Sequence, residues 1–180
     1  MTTAAFNRII AATKDFCSKN HNIKTTHFIR LDFRAATSTV VAIALDGYRL
    51  SVEHAVAESN EDFTVYVRSN IKLPNKGYVY IELIDKEVFL RCNGFVFGYQ
   101  QPDGEPFDYE KVLPKNEPQF EIGFNGDYLL SALQAAKASV GSTFKNPVVL
   151  EFRSPLEPIV LRTNTDDVKM VLPIRLKSKE

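Results

Sequence analysis

The stretch Leu45-Asp46-Gly47-Tyr48-Arg49-Leu50 predicts the local fold on both of its sides. It ends a β-branched run from Thr39 to Leu45, and such a run favours a strand. Asp-Gly is a strong turn or bulge signal, because glycine adopts a positive φ without steric cost. A second strand is expected from Tyr48 to Ala55. The stretch therefore predicts two strands joined at a turn.

A helix and one further strand are predicted ahead of this turn. Apolar residues recur at helical spacing from about Ala5 to Lys19, which predicts an amphipathic helix. Its expected buried stripe is Phe6, Ile9, Ile10, Thr13, Phe16 and Cys17. From His27 to Phe33, apolar and charged residues alternate, as in a half-buried strand.

The next block is predicted to be nearly all strand. The expected strands are Phe63 to Val67, Tyr78 to Ile84, Val88 to Cys92 and Phe95 to Gln101. Asp85-Lys86-Glu87 and Asn93-Gly94 supply turns between them. Prolines at both ends of Pro106 to Pro114 argue against a helix there.

A third block repeats the helix-then-strands order of the first. A strand is expected from Gln119 to Phe124, and Asn125 is a good cap for a helix from about Tyr128 to Val140. The expected buried stripe of this helix is Leu129, Leu130, Leu133, Ala136 and Val140. Further strands are expected at Pro147 to Phe152, Ile159 to Thr163 and Val168 to Leu176.

The last stretch of clear pattern is Met170-Val171-Leu172-Pro173-Ile174-Arg175-Leu176. Pro173 removes a backbone donor, so the segment can pair as an edge or terminal strand and not as a central one. By itself, this pattern is typical of an edge strand whose apolar side completes a core.

Composition restricts the classes of function. The 180 residues carry 22 basic and 22 acidic side chains, a balance that argues against tight, static DNA binding. Cys17 and Cys92 have no CxxC spacing, which suggests reduced thiols in a cytoplasmic protein. No apolar run approaches the roughly 20 residues of a membrane span, and no signal peptide is recognised.

Four motifs in order resemble the bacterial DNA sliding clamp, the beta subunit of DNA polymerase III. Ala44 to Leu50 is similar to the family's Ala-Thr-Asp-Gly-His-Arg-Leu stretch, and Pro106 to Pro114 is similar to its Phe-Pro-Asp-Tyr-x-x-Val-Leu-Pro ending. Phe124 to Leu133 resembles the start of a clamp helix, and Ser154 to Ile159 resembles its Asp-Pro-x-x-Pro turn. The C-terminal run Met170 to Leu176 resembles a further signature.

The resemblance implies an α+β, DNA-clamp-like fold of antiparallel sheets with two helices on one face. It implies a clamp-like domain at 1–115, similar to the clamp's middle domain, and a half-domain at 116–180, similar to the C-terminal half of the last domain. Leu45 and Tyr48 stand where the family usually has Thr and His, and one helix of the middle domain has no counterpart. With about three half-domains where a clamp subunit has six, closing the usual ring is expected to need four copies.

The resemblance also implies a pocket that grips peptide motifs of replication partners. In the family this pocket lies between the middle domain's first half and the last domain's second half. Carried over residue by residue, its lining is Leu45, Gly47, Tyr48, Arg49, Leu50, Lys111, Val112, Leu156, Pro158, Leu172, Pro173, Ile174 and Arg175. The alternative interpretation is that these residues only seal the interdomain core.

A DNA-facing role is a weaker expectation. Arg8 and Lys14 on the first helix and Lys137 on the second could face phosphates at a distance that permits sliding. Against this, Asp15 lies beside Lys14, and a charged helix face is commonly just solvated.

Two functions from different classes remain. The first is a sliding-clamp-like DNA replication processivity factor, a homo-oligomer that binds a DNA polymerase or other clamp-motif proteins and encircles double-stranded DNA. The alternative is a free-standing peptide-binding adaptor or decoy without DNA. No enzyme is expected, because the chain has no nucleophile motif, and His21, His27 and His54 lack metal-ligand spacing. No cofactor, metal or membrane partner is expected.

Overall fold

Two compact units make up the chain, residues 1–109 and 110–180. A computed structural model describes residues 1–19, 24–139, 148–163 and 166–176 of it. The described residues form antiparallel sheets and two α-helices, so the predicted α+β class is confirmed. The division at 109/110 lies six residues ahead of the boundary expected at 115/116.

The first unit contains one helix and seven strands among its described residues. These are α1 (Thr3–Thr13), β1 (Phe28–Arg34), β2 (Thr39–Leu45), β3 (Leu50–Val56), β4 (Phe63–Arg68), β5 (Tyr80–Ile84), β6 (Glu87–Cys92) and β7 (Phe95–Gln100). They form a four-stranded sheet in the order β3-β2-β1-β4 and a three-stranded sheet in the order β5-β6-β7. All described strand pairs are antiparallel, and β2 has the bounds that its β-branched run predicts.

One apolar core is shared by both sheets of the first unit. It includes Phe6 and Ile9 from α1, Leu31 from β1 and Leu90 from β6, each with no exposed surface. The first four positions of the predicted buried stripe of α1 are therefore confirmed: Phe6, Ile9, Ile10 and Thr13 are all buried. Phe16 and Cys17 are only partly buried against this core.

The helix α1 ends earlier than its predicted end at Lys19. A 3₁₀ turn at Lys14–Phe16 replaces the last part of the expected helix. The Thr13 hydroxyl donates back to the Ile9 carbonyl at 2.7 Å, a bond that competes with regular helix continuation. The amide of Cys17 then bonds the Lys14 carbonyl, which closes the tighter turn.

The N-terminal residues pair with the segment that leads into β5. Thr2 lies opposite Tyr78 in an isolated antiparallel bridge. The Met1 ammonium donates to the Val79 carbonyl at 3.2 Å, and the Val79 amide donates to the Met1 carbonyl at 3.0 Å. The start of the chain is thus fixed to the three-stranded sheet.

The second unit contains α2 (Gly126–Ser139), β8 (Val149–Glu151), β9 (Ile159–Arg162) and β10 (Val168–Val171). Its sheet has the order β10-β9-β8. The predicted cap is confirmed, because the Asn125 side chain accepts from the amides of Asp127 and Tyr128 at 2.9 and 3.3 Å. The predicted positions Val140 and Pro147 lie outside the described residues.

Three predictions for the second unit are wrong. No strand forms at 119–124, where only Gly123 makes an isolated bridge, to Ile174. The last strand ends at Val171 and not at Leu176, because Pro173 cannot donate to a ladder. Leu130 is 55% exposed, since α2 packs on this small sheet through Ala132 and Leu133 instead.

The expectation of no helix between Pro106 and Pro114 also needs correction. A single 3₁₀ turn forms at Tyr109–Lys111. Both prolines lie outside these three residues, so neither ring opposes the turn.

Candidate functional site

The turn between β2 and β3 is held by one carboxylate. Asp46 accepts from the backbone amides of Tyr48 at 3.0 Å and Arg49 at 2.9 Å. Gly47 takes a φ of +89°, which a side chain rarely allows. Tyr48 is 98% exposed at the tip. The turn therefore presents one aromatic side chain on a fixed backbone.

Arg49 is held against its own unit. Its guanidinium donates to Asp46 Oδ2 at 2.6 Å from Nη2 and at 3.0 Å from Nε. Nη2 also donates to the Asp15 carbonyl at 2.9 Å, and the group lies 5.2 Å above the Phe16 ring. These contacts tie the turn to the end of α1, while the Arg49 side chain stays 55% exposed.

The pairing of Asp46 with Arg49 leads to a prediction for titration. Hydrogen bonds from the Arg49 side chain, and then from the Tyr48 amide, hold the pKa of Asp46 below its ordinary 3.8. A lowered folded-state pKa stabilises the fold above the unfolded pKa, and this contribution is lost as pH falls through the lowered value. In Arg49→Gln, we expect the pKa of Asp46 to rise toward 3.8, as followed by NMR of its carboxyl carbon. An unchanged pKa in that variant would contradict the pairing; Arg8→Gln is the matched control.

A shallow depression lies next to this turn, wholly within the first unit. Its enclosed space is about 20 Å³, room for about one water molecule, within an empty volume of about 290 Å³ that includes open solvent. It is lined by Thr25, Thr26, Phe28, Arg30, Ile43, Ala44, Leu45, Tyr66 and Phe107. The lining is mostly apolar, and Leu45 is its one member from the predicted site.

Besides Thr25 and Thr26, two polar side chains line this mostly apolar depression, Arg30 and Tyr66. The Arg30 guanidinium donates to the Phe107 carbonyl at 2.6 Å and to Asp32 at 2.7 Å. The Tyr66 hydroxyl is buried and has no hydrogen-bond partner among the described residues, and burial raises its pKa. An unpaired buried hydroxyl is costly, so Tyr66 carries a local energetic cost next to the depression.

Sequence reasoning missed most of this lining. The residues come from β1, β2, β4, the 3₁₀ turn Lys24–His27 and the loop at Phe107, and no motif connects them. The sequence held one signal for this lining, the alternation along β1. Ile29 and Leu31 are buried, so Arg30 between them lies on the opposite face of the strand. The side chain of Arg30 is nevertheless only 19% exposed on that face.

The other predicted pocket residues of the first unit lie at the same hairpin. Leu50 and Leu45 are partly buried and pack on a small cluster of Val41, Ile43 and Tyr109. This packing lies within the first unit, so the interdomain core-sealing interpretation stays a prediction. Tyr48, by contrast, seals nothing, since almost all of its side chain is exposed.

The remaining predicted pocket residues belong to the second unit. Leu156, Leu172, Val112 and Ile174 are exposed by 78, 65, 56 and 52%. Pro158 and Pro173 are half-buried, and Lys111 and Arg175 are exposed. The Ile174 amide donates to the Gly123 carbonyl at 2.9 Å, which fixes the end of the C-terminal run within this unit.

The predicted DNA-facing cations have different surroundings. Arg8 donates to Glu53 at 2.9 Å and to the His54 carbonyl, so its charge is paired. Lys14 is exposed in the 3₁₀ turn, and Lys137 is exposed on α2. Within the described ranges, no group of three or more His, Cys, Asp or Glu is placed to hold a metal.

The arrangement of strands and helices is that of the DNA sliding clamps, so the resemblance seen in the sequence is confirmed at the level of the fold. The chain is similar to the DNA polymerase sliding clamp of Bacillus subtilis, with a TM-score of 0.82 and 18% identity over 96% of this chain and 48% of that one. It is similar to the beta subunit from the DNA polymerase of Streptococcus pyogenes, with a TM-score of 0.82 and 18% identity over 97% of this chain and 49% of that one.

A third similar structure is the DNA polymerase III subunit beta from Pseudomonas aeruginosa, with a TM-score of 0.76 and 19% identity over 96% of this chain. The chain spans about half the length of these clamps. No family model matches the sequence, and no curated protein does. Neither α1 nor α2, the two α-helices of the described part, is long and apolar enough to cross a membrane.

Proposed function

We propose that this chain is a sliding-clamp-like DNA replication processivity factor that binds the short peptide motifs of a polymerase or a related partner. The observation that carries the proposal is the apolar depression at Leu45, beside the exposed Tyr48, in a clamp fold. A concave apolar floor with a few polar groups is the usual form of a ligand site.

The apolar lining of the depression offers contact to a peptide side chain, although the depression must widen to admit a large one. Phe28, Ile43 and Leu45 offer apolar contact to such a side chain. Tyr48 adds an aromatic surface that costs little entropy to fix, because Asp46 already holds its backbone. Arg49 is less suited to gripping a peptide than the resemblance implies, since Asp46 and Asp15 already occupy its donors.

The second unit offers candidate contacts of its own. Leu156, Leu172 and Ile174 are large apolar side chains with more than half of their surface exposed. Large exposed apolar side chains of this kind can contribute to an interaction surface. The proposal includes them as peptide contacts in their own right.

A binding measurement tests the proposal directly. A fluorescent peptide with a clamp-binding motif should bind the full chain, and Tyr48→Ala should weaken binding by about tenfold, as expected for an aromatic anchor. Folding should not change, because Tyr48 is 98% exposed. Val56→Ala is the matched control, since Val56 is 75% exposed on β3 and outside the proposed site. Absence of wild-type binding up to millimolar peptide would reject the proposal.

The alternative, a peptide-binding adaptor that does not encircle DNA, is favoured by one observation. Arg8, the expected phosphate-facing residue of α1, is paired with Glu53 at 2.9 Å, and the chain carries no excess positive charge. Retention on circular DNA separates the two functions. A ring stays on a closed circle in high salt and slides off after linearisation, whereas an adaptor is retained on neither.

A further inference from the structure

The four-stranded sheet of the first unit is buried on both faces, although α1 packs on only one of them. Ile29 and Leu31 of β1 belong to the core beneath α1. On the opposite face, Val41, Ile43 and Tyr66 are exposed by only 0, 2 and 8%. An antiparallel sheet with one helix layer usually leaves its other face to solvent. Another part of the chain therefore covers this face.

Part of that cover is the segment 102–108, which follows β7 and which we call the strap. Arg30 lies opposite Ile43 on one side and Tyr66 on the other, so these three residues form a row across β2, β1 and β4. The Arg30 guanidinium donates to the Phe107 carbonyl at 2.6 Å, and Phe107 lines the depression together with the whole row. The strap thus lies over this row and forms one wall of the depression.

The strap is anchored at both ends. Ahead of it, the Gln101 side chain accepts from the Tyr66 amide at 2.6 Å and donates to the Tyr66 carbonyl at 3.1 Å. After it, Tyr109 is 7% exposed and packs against Ile43. The Tyr109 hydroxyl also accepts from the Arg34 guanidinium at 3.3 Å. Movement of the strap is therefore confined to the residues between these two anchors.

Between the anchors, the strap is held less firmly than the strands beneath it. All of its residues are described, and none belongs to a helix or a strand. Pro102 and Pro106 have no amide N–H to donate, and Gly104 has a φ of +132°, a conformation that glycine adopts freely. The strands β1, β2 and β4, in contrast, are joined by continuous antiparallel pairing. The strap can therefore move while these strands stay in place.

A large side chain needs such a movement before it can bind. The enclosed space of about 20 Å³ has room for about one water molecule. Phe107 lines this space and is 40% exposed, so more than half of its surface is covered. Displacing Phe107 would vacate the room of one aromatic side chain next to Phe28 and Leu45, which also line the depression.

We propose that the strap is a lid and that Phe107 closes the depression to the apolar side chain of a partner peptide. The proposal rests on the proposed peptide binding at this depression. In the closed form, Arg30 holds the Phe107 carbonyl. A partner side chain binds once this bond opens and Phe107 leaves the lining. The apparent affinity for the peptide is then reduced by the fraction of molecules in which the strap is open.

The first test removes the closing side chain. Phe107→Ala keeps the backbone carbonyl that Arg30 binds, and a fluorescent peptide with a clamp-binding motif should bind this variant about tenfold more tightly than the wild type. That factor corresponds to a strap that is open in about one molecule in ten. Phe95→Ala is the matched control, because Phe95 is 65% exposed on β7 and outside the depression. Its affinity should equal that of the wild type.

Two results of this assay overturn the proposal. Weaker binding by Phe107→Ala would make Phe107 part of the binding floor, and unchanged binding would mean that Phe107 closes nothing. Equal tightening in Phe95→Ala would likewise remove the lid as the cause. Far-UV circular dichroism establishes that each variant is folded.

A second test needs no peptide. In methyl NMR with a soluble paramagnetic agent, the Ile43 methyl signals should be protected in the wild type and should lose this protection in Arg30→Met, where the strap is released. Arg8→Met is the matched control, since Arg8 also bonds one carboxylate, of Glu53, and one carbonyl, of His54. Ile43 should stay protected in that variant.

The NMR result separates the lid from the proposed function. Equal protection of Ile43 in Arg30→Met, Phe107→Ala and wild type would overturn the lid even if the peptide binds. If the wild type binds no peptide, the proposed function fails, whereas loss of Ile43 protection in both variants would still show that the strap closes the depression.

Discussion

Replacing Phe6 with alanine is expected to lower the free energy of unfolding by about 3–5 kcal/mol. Phe6 projects from α1 into the core shared by both sheets, and none of its surface is exposed. In the described part of the first unit, α1 is the only α-helix, so few neighbours can move into the cavity. Large-to-small changes cost most where the surroundings cannot collapse.

Urea unfolding of the full chain, followed by far-UV circular dichroism, measures this effect. The two units can unfold in separate steps, so the transition of the first unit must be fitted by itself. Tyr48→Ala is the control, because it removes an aromatic ring that is 98% exposed and should change stability by less than about 0.5 kcal/mol. A cost below about 1 kcal/mol for Phe6→Ala would contradict the described packing of α1.

Replacing Asn7 with alanine should cost about 2–4 kcal/mol, although no apolar contact is lost. The Asn7 amide donates to the Leu73 carbonyl at 2.8 Å, and its oxygen accepts from the Leu73 amide at 3.0 Å. Leu73 is 3% exposed, so alanine leaves both backbone groups unpaired in a buried place. Each unpaired group costs about 1–3 kcal/mol.

Hydrogen exchange distinguishes this mechanism from general loosening of the helix. The Leu73 amide should lose protection in Asn7→Ala and keep it in Asn7→Asp, which retains the accepting oxygen. The aspartate variant should be intermediate in stability, because the Leu73 carbonyl alone loses its partner. Equal protection of the Leu73 amide in wild type and Asn7→Ala would show that the bond does not form in solution.

Local patterns determined those parts of the fold that depend on near neighbours in sequence. The turn at Asp46-Gly47 and the cap at Asn125 were predicted because both act within four residues. The end of α1 was placed too late, since helical spacing continues past Thr13 while the backbone does not. The expected strand at 119–124 failed because a strand also needs a partner, and only Ile174 supplies one.

The candidate site was less predictable because its contacts join residues that lie far apart in the sequence. Arg49 is held by Asp15, 34 residues earlier, and Arg30 by Phe107, 77 residues later. No periodicity reports contacts at such separations. The resemblance supplied the hairpin at Leu45 and Tyr48, whereas Tyr66 and Phe107 emerge only once β1, β2 and β4 lie side by side. The peptide-binding role of these residues remains a prediction.

The pairing of Met1 with Val79 affects how the protein should be produced for these experiments. Thr2 lies opposite Tyr78 and Met1 opposite Val79, in antiparallel direction. Residues added ahead of Met1 would continue in this direction and lie alongside β5, on the side that does not pair with β6. An affinity tag or cleavage scar at that end would thus become a potential extra strand and would replace the Met1 ammonium with a peptide group. Samples for mass or binding measurements should therefore carry no tag ahead of Met1.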